Sequence, residues 1–87
     1  MKIYLKVKFL KSYKKRFSHL PSIRKKIDTR IELFQMNPQN PVLGDHELKG
    51  SKVGYRAFSC TGDVRIVYFI QDDIAYLMDI GTHNQVY

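Results

Sequence analysis

Among 87 residues, three histidines, His19, His46 and His83, are the groups best suited to moving protons near neutral pH, because free imidazole titrates at about 6.5. They lie in separate segments, with no HxxxH or CxxC spacing and no carboxylate cluster, so a metal site is a poor fit. The one cysteine, Cys60, can form neither a thiolate cage nor an internal disulfide. There is no glycine-rich phosphate loop and no GxSxG nucleophile turn. What remains is histidine with Arg56, Arg65, Asp63 and Tyr87 in a cationic chain, a set that suits RNA cleavage without metal or other cofactor. One group takes the proton of a 2′-hydroxyl, a second protonates the leaving 5′-oxygen, and a cation steadies the charge building on phosphorus.

Each residue also has a plain structural reading. His83, in GTHNQVY, follows the last apolar run on a turn opened by Gly81; His46 lies in GDHELKG, within a long connection. Either can be a satisfied polar side chain without a catalytic role, and His19, beside Pro21 at a helix end, suits that description best. Asp63 is a natural turn residue. Arg56 and Arg65 have Asp79 and Glu47 as available partners. Tyr87 can complete the core or stack on a base, since aromatic rings stack bases with little sequence preference.

The elements that must position these groups fit in one domain, residues 1–87, because a second core has no room in 10.3 kDa. Multi-step enzymes and motors are excluded by the same length. With 44% hydrophobic and 26% charged residues the chain should fold, which excludes disorder and coiled coil as overall descriptions. Charge is segregated: Met1 to Asn37 carries eight Lys and three Arg against Asp28 and Glu32, whereas the remainder is slightly anionic. Such a cationic half suits a polyanion, nucleic acid before an anionic membrane surface. Lysines at 2, 6, 8 and 11 interrupt any signal-peptide core, and no apolar run is long enough to span a bilayer. A lone thiol fits a reducing compartment, so the expected location is the cytoplasm.

Ile3, Leu5, Val7 and Phe9 alternate with Lys2, Tyr4, Lys6 and Lys8, the period of a strand. From Phe9 the period lengthens. Phe9, Tyr13, Phe17 and Leu20 form one helical stripe, with Lys11, Lys14 and Lys15 mostly off it, and Ile23, Ile27, Ile31 and Phe34 form a second between Pro21 and Asn37-Pro38. Residues 38 to 51 have no clear period and read as an irregular connection. Three strand-like runs follow, Val53 to Cys60, Val64 to Gln71 and Ile74 to Ile80, separated by Thr61-Gly62-Asp63 and Asp72-Asp73. The order β-α-α-β-β-β predicts an α+β domain: a twisted antiparallel sheet of four strands with a two-helix hairpin packed on it. A two-residue first hairpin loop would place Arg56 and Arg65 on one sheet face; a three-residue loop would place them on opposite faces.

The runs DHELKG, VGYRAFSCTGDVRIVYFIQDD and LMDIGTHNQVY, taken in order, resemble the second half of the RelE/ParE superfamily of toxins, most closely its YafQ branch. The first half is similar more loosely, as a strand and a helical hairpin ending in NP. The resemblance implies a RelE-like fold and a toxin of a type II toxin-antitoxin pair, an endoribonuclease (mRNA interferase) that cuts translated mRNA in the ribosome. His46, Asp63 and His83 match positions of the YafQ site, His83 as proton donor, and Tyr87 matches its terminal aromatic. Arg65 matches an arginine of the wider RelE group expected to hold the scissile phosphate. Where the branch has a strand histidine, an aromatic and an arginine, this chain has Ser59, Val64 and Asp79, which implies a hybrid site or weakened activity. The implied partners are the ribosome with its mRNA, reached through Arg56, Lys49, Lys52, Lys11, Lys14 and Lys15, and an acidic antitoxin covering the basic face. The competing readings are a ParE-like topoisomerase inhibitor, a silent antitoxin-binding relative, and a plain basic nucleic-acid-binding domain.

Overall fold

The computed structural model describes residues 1–87. Strand β1 (Lys2–Leu5) leads into helix α1 (Val7–Phe17), then α2 (Pro21–Met36). A short β2 (His46–Glu47) precedes β3 (Arg56–Ser59), β4 (Val64–Gln71) and β5 (Ile74–Thr82), and a one-turn helix α3 (His83–Val86) follows. The sheet has five strands in the order β1-β5-β4-β3-β2. No helix is long and apolar enough to cross a membrane.

The expected α+β plan with a helical hairpin holds, but the sheet differs in count and direction. The meander β3-β4-β5 is antiparallel, whereas β1 joins the outer edge of β5 in parallel, Lys2 opposite Ile74 and Leu5 opposite Leu77. A parallel partner requires a long crossover, and the two helices supply it: they return the chain so that β3, and hence β5, runs in the direction of β1. The fifth strand comes from the connection expected to be irregular. There His46 and Glu47 pair with Ala57 and Arg56, and buried Leu43 and Leu48 anchor the segment on either side.

β1 stops at Leu5 although its alternation continues to Phe9, because Phe9 also starts the helical stripe and a helix buries more. Phe9 and Phe17 are both buried, while Val7 would gain little from an extended strand and stays 65% exposed. α2 begins at Pro21, whose fixed φ and missing N–H suit a first turn, and ends before Asn37-Pro38. Its buried Ile27 and Phe34 lie on the predicted stripe. Phe34 stacks on Phe58 at 4.4 Å between ring centroids and meets the edge of Tyr68 at 4.8 Å, which joins the helices to the sheet.

β5 carries a bulge. Val67 lies opposite Asp79 and Tyr68 opposite Leu77, leaving Met78 as an extra residue. Strict alternation would put Leu77 and Ile80 on different faces; the extra residue lets both bury fully against the helices. Asp79 and Gly81 thereby turn to the other face, where Leu48, Ala57, Val67 and Val86 form a smaller core. Beyond β1, α1 flanks the remaining edge of β5, and Arg16 donates to the Ile80 carbonyl at 2.8 Å.

Cys60 is 2% exposed in the main core, and burial pushes its thiol from 9.0 up to about 12, against a smaller opposing pull from Arg30. The neutral thiol is favoured by the fold, so its contribution is complete below about pH 9 and is lost as pH rises toward 12, at up to about 1.4 kcal/mol per unit. A thiol reagent at pH 8 should label Cys60 only as fast as the protein unfolds, and Cys60→Ala should flatten the alkaline fall in urea stability. Immediate labelling of the native protein would contradict this.

Candidate active site

The site is assembled from the last turn of chain and the two strands beneath it. Thr82 caps α3 with a reciprocal box: its hydroxyl accepts the Gln85 N–H, and its own N–H donates to Gln85 Oε1 at 2.8 Å. The Tyr87 N–H closes the turn on the His83 carbonyl at 3.0 Å. Four residues apart, His83 and Tyr87 therefore share a face, their rings edge to face with centroids 4.5 Å apart. Val86, 3% exposed, pins the turn on the smaller core. A Cβ at Gly81 would come within 2.6 Å of Gln85 Oε1 and 2.8 Å of Arg16 Nη1, so a larger residue there would push aside the tips of both side chains.

His46 approaches Tyr87 from β2, with ring centroids 6.4 Å apart. Its Nδ1 lies 3.0 Å from the Gly44 carbonyl, which can only accept, so Nδ1 carries the hydrogen and Nε2 of the neutral ring keeps its lone pair. Arg65, on β4 between Ser59 and Gly81, donates from Nη1 to Ser59 Oγ at 3.3 Å, and its guanidinium carbon lies 5.9 Å from the centre of the Tyr87 ring. Its Nε is buried and has no hydrogen-bond partner. Burial raises the Tyr87 phenol above its ordinary 10.0, offset in part by Arg65, so the hydroxyl stays protonated. Two imidazoles, a guanidinium and a neutral phenol thus meet at the end of the open sheet face. This arrangement can take a proton, give one, and hold an oxyanion between them.

The other expected residues lie elsewhere. Thr61-Gly62-Asp63 is a three-residue loop, closed by the Cys60 N–H on the Val64 carbonyl at 2.8 Å, so Arg56 and Arg65 point to opposite faces and share no surface. Arg56 is instead held by Asp45 at 3.3 and 3.4 Å and by Glu47 at 3.4 Å. Asp63 is exposed in that loop, where its N–H meets Thr61 Oγ1 at 3.4 Å; its carboxylate bonds to none of the clustered groups. Lys11, Lys14, Lys15 and Lys49 are exposed, and Lys52 lines a cleft of about 320 Å³ with Lys8, Tyr55 and Asp79. His19 is exposed beyond α1. Asp79 pairs with Lys8 at 3.6 Å and Arg16 at 3.5 Å, and with neither Arg56 nor Arg65. No three side chains of His, Cys, Asp or Glu lie within common reach of an ion.

Sequence reasoning passed over Asp45, the hub of this end of the sheet: it takes the Tyr68 hydroxyl at 2.7 Å as well as Arg56. Asp45→Ala leaves both donors without their acceptor, with Tyr68 1% exposed, and should cost about 2 to 4 kcal/mol in urea unfolding. A loss below about 0.5 kcal/mol would show that water replaces the carboxylate. Helix α3 was also missed, although its signal, the spacing T-x-x-Q at Thr82 and Gln85, is plain in the sequence.

One family model, the bacterial YafQ toxins of type II toxin-antitoxin systems, matches residues 1–87. The chain belongs to this family. The comparison with curated proteins found no match. Among solved structures, a copper-bound mutant toxin from Helicobacter pylori is 28% identical with TM-score 0.76, covering 100% of this chain and 99% of that one. YafQ from E. coli is 24% identical with TM-score 0.77, over 99% and 97%. A YoeB/ParE toxin from Agrobacterium tumefaciens, 20% identical with TM-score 0.78 over 95% and 99%, shares the fold. The three positions expected to depart from the branch each have a local role in this structure. Ser59 takes the Arg65 guanidinium, Val64 is 5% exposed in the main core, and Asp79 anchors α1 through Arg16 and Lys8.

Proposed function

We propose that this toxin is an endoribonuclease that cuts mRNA on the translating ribosome without a metal cofactor. The observation that supports it is the convergence of His46, Arg65 and His83 around Tyr87. His46 Nε2 takes the 2′-hydroxyl proton; the 2′-oxygen forms a bond to phosphorus as the bond to the 5′-oxygen breaks; His83 protonates that oxygen. Arg65 binds the nonbridging oxygens through the guanidinium N–H groups that Ser59 leaves free, and Tyr87 stacks on a neighbouring base. The products are a 2′,3′-cyclic phosphate and a 5′-hydroxyl. With Arg65 in this role and Asp79 paired with cations of α1, the three departures from the branch leave an active site.

The exposed lysines Lys11, Lys14 and Lys15 on α1 meet ribosomal RNA phosphates, which position the toxin without reading sequence. Lys49 and Lys52 supply further contacts, Arg56 acts as a structural brace, and Asp63 holds its turn. A structure of YafQ from E. coli bound to DinJ covers 99% of this chain at TM-score 0.68. By likeness, a cognate antitoxin with an acidic segment covers the basic face here, and the pair acts in the cytoplasm, where translation occurs.

The test is a translation reaction with purified toxin, mapping mRNA 5′ ends with and without ribosomes. A transition-metal chelator is added that leaves Mg2+ for the ribosome. Ribosome-dependent cuts bearing 5′-hydroxyls that survive the chelator are expected. Intact mRNA with folded toxin would overturn the reading, and DNA damage in its place would point to a topoisomerase.

A further inference from the structure

A cleft of about 690 Å³ lies on the helix side of the sheet and shares no lining residue with the cluster around Tyr87. One wall is α2, presenting Lys25, Lys26 and Arg30; the other is the loop after β3, with Thr61 and Gly62. No carboxylate lines it. None of the three cations is neutralised either, since the ion pairs of this protein use Lys8, Arg16 and Arg56.

We infer that this cleft holds phosphates of the single-stranded RNA whose scissile group sits at Arg65, as a second anchor on the same strand. The inference deepens the nuclease reading and rests on it. Arg30, which lines the cleft, spends Nη1 on the carbonyls of Val42 and Ser59, at 3.2 and 3.1 Å, which leaves Nε and Nη2 without an acceptor in the protein. Thr61 Oγ1 accepts the N–H groups of Asp63 and Val64, so its own hydrogen is free to donate outward. Ser22 adds a hydroxyl in the first turn of α2, where the helix dipole favours an anion.

The occupant is RNA and not an acidic peptide because the cleft offers no exposed hydrophobic residue as an anchor. Its one hydrophobic lining residue is Cys60, at 2% exposure, and protein interfaces depend on buried apolar contacts at their centre. A polyanion with hydrophilic linkages needs none. Continuity with the active site runs through one residue. Ser59 gives its carbonyl to Arg30 at 3.1 Å and its hydroxyl to Arg65 at 3.3 Å, so guanidiniums for two phosphates are fixed on either face of the same strand end. A strand leaving Arg65 reaches the cleft by rounding the Thr61–Asp63 loop.

The experiment is fluorescence anisotropy with an uncleavable 2′-O-methyl RNA over a range of salt, comparing wild type with Lys25→Gln/Lys26→Gln and with the charge-matched Lys2→Gln/Lys6→Gln. The cleft variant should bind roughly tenfold more weakly and lose about 1.4 from its log–log salt slope, two contacts at ~0.7 each on single strands. The matched variant should lose much less. Equal losses in both variants would reduce the effect to diffuse charge and overturn the site. So would unchanged RNA affinity with impaired antitoxin binding, or cleft-dependent affinity for duplex RNA alone. The two readings fail separately. Cleft-dependent RNA binding without mRNA cleavage sinks the nuclease alone, and cleavage by a toxin whose cleft variant binds RNA normally sinks the cleft alone.

Discussion

His83→Ala should slow mRNA cleavage by about 10²- to 10⁴-fold, the usual worth of a positioned general acid, while shifting stability by less than about 0.5 kcal/mol. The fold is spared because the imidazole is exposed and helix α3 is held by its backbone, its capping box and Val86. The loss should be specific to leaving-group protonation. A substrate with sulfur in place of the scissile 5′-oxygen departs as a thiolate and needs no proton, so wild type and His83→Ala should cleave it at similar rates. Equal rates on ordinary mRNA would remove His83 from the mechanism. Equal impairment on both substrates would assign it to binding instead.

Arg65→Ala should cost about 10²- to 10³-fold in cleavage, since it removes the one cation aimed at the reacting phosphate. Arg65→Lys should recover only part of this. An ammonium gathers its three N–H groups on one atom and cannot match the planar fork, which gives one N–H to Ser59 Oγ at 3.3 Å and presents others side by side to a phosphate. Arg56→Lys is the matched comparison. It lies on the opposite face, tied to Asp45 and Glu47, and should lower urea stability with little change in rate per folded molecule. Single-turnover rates at saturating ribosomes separate these effects. If Arg65→Ala cleaves normally while Arg56→Lys fails, the phosphate lies on the other face and the proposed site is wrong.

Much of the fold was legible where a periodic stripe had only one good solution. Phe9, Tyr13 and Phe17, then Ile27 and Phe34, could be buried together only as helices, and Val64 to Gln71 forms a strand with the expected bounds. Misreadings arose where local pattern underdetermines pairing. Nothing in Lys2 to Leu5 encodes a direction; β1 is parallel because of the path the helices take. His46 and Glu47 are a strand only because Ala57 and Arg56 lie beside them. In the candidate site, His46, His83 and Tyr87 could be singled out from their motifs, and the fold brings them together. The facing of Arg56 and Arg65 turned on one residue of loop length, a choice made by tertiary packing of Cys60 and Val64. The Met78 bulge was invisible, because it exists to reconcile Leu77 with Ile80 across a core that sequence does not display.

Helix α3 carries His83 and leads directly into Tyr87, yet its attachment is one buried valine and one capping box. Its amides should therefore exchange with solvent through brief local openings, at a rate set by that turn, while those of β4 and β5 wait for global unfolding. The toxin's chemistry and its architecture consequently have separate thermodynamic fates. Substitutions at Val86 or Gln85 can empty the catalytic end of the sheet while every surface built on β1, α1 and α2 persists. A population of such molecules would occupy antitoxin without harming the cell, so loss of toxicity needs far less change than loss of the fold.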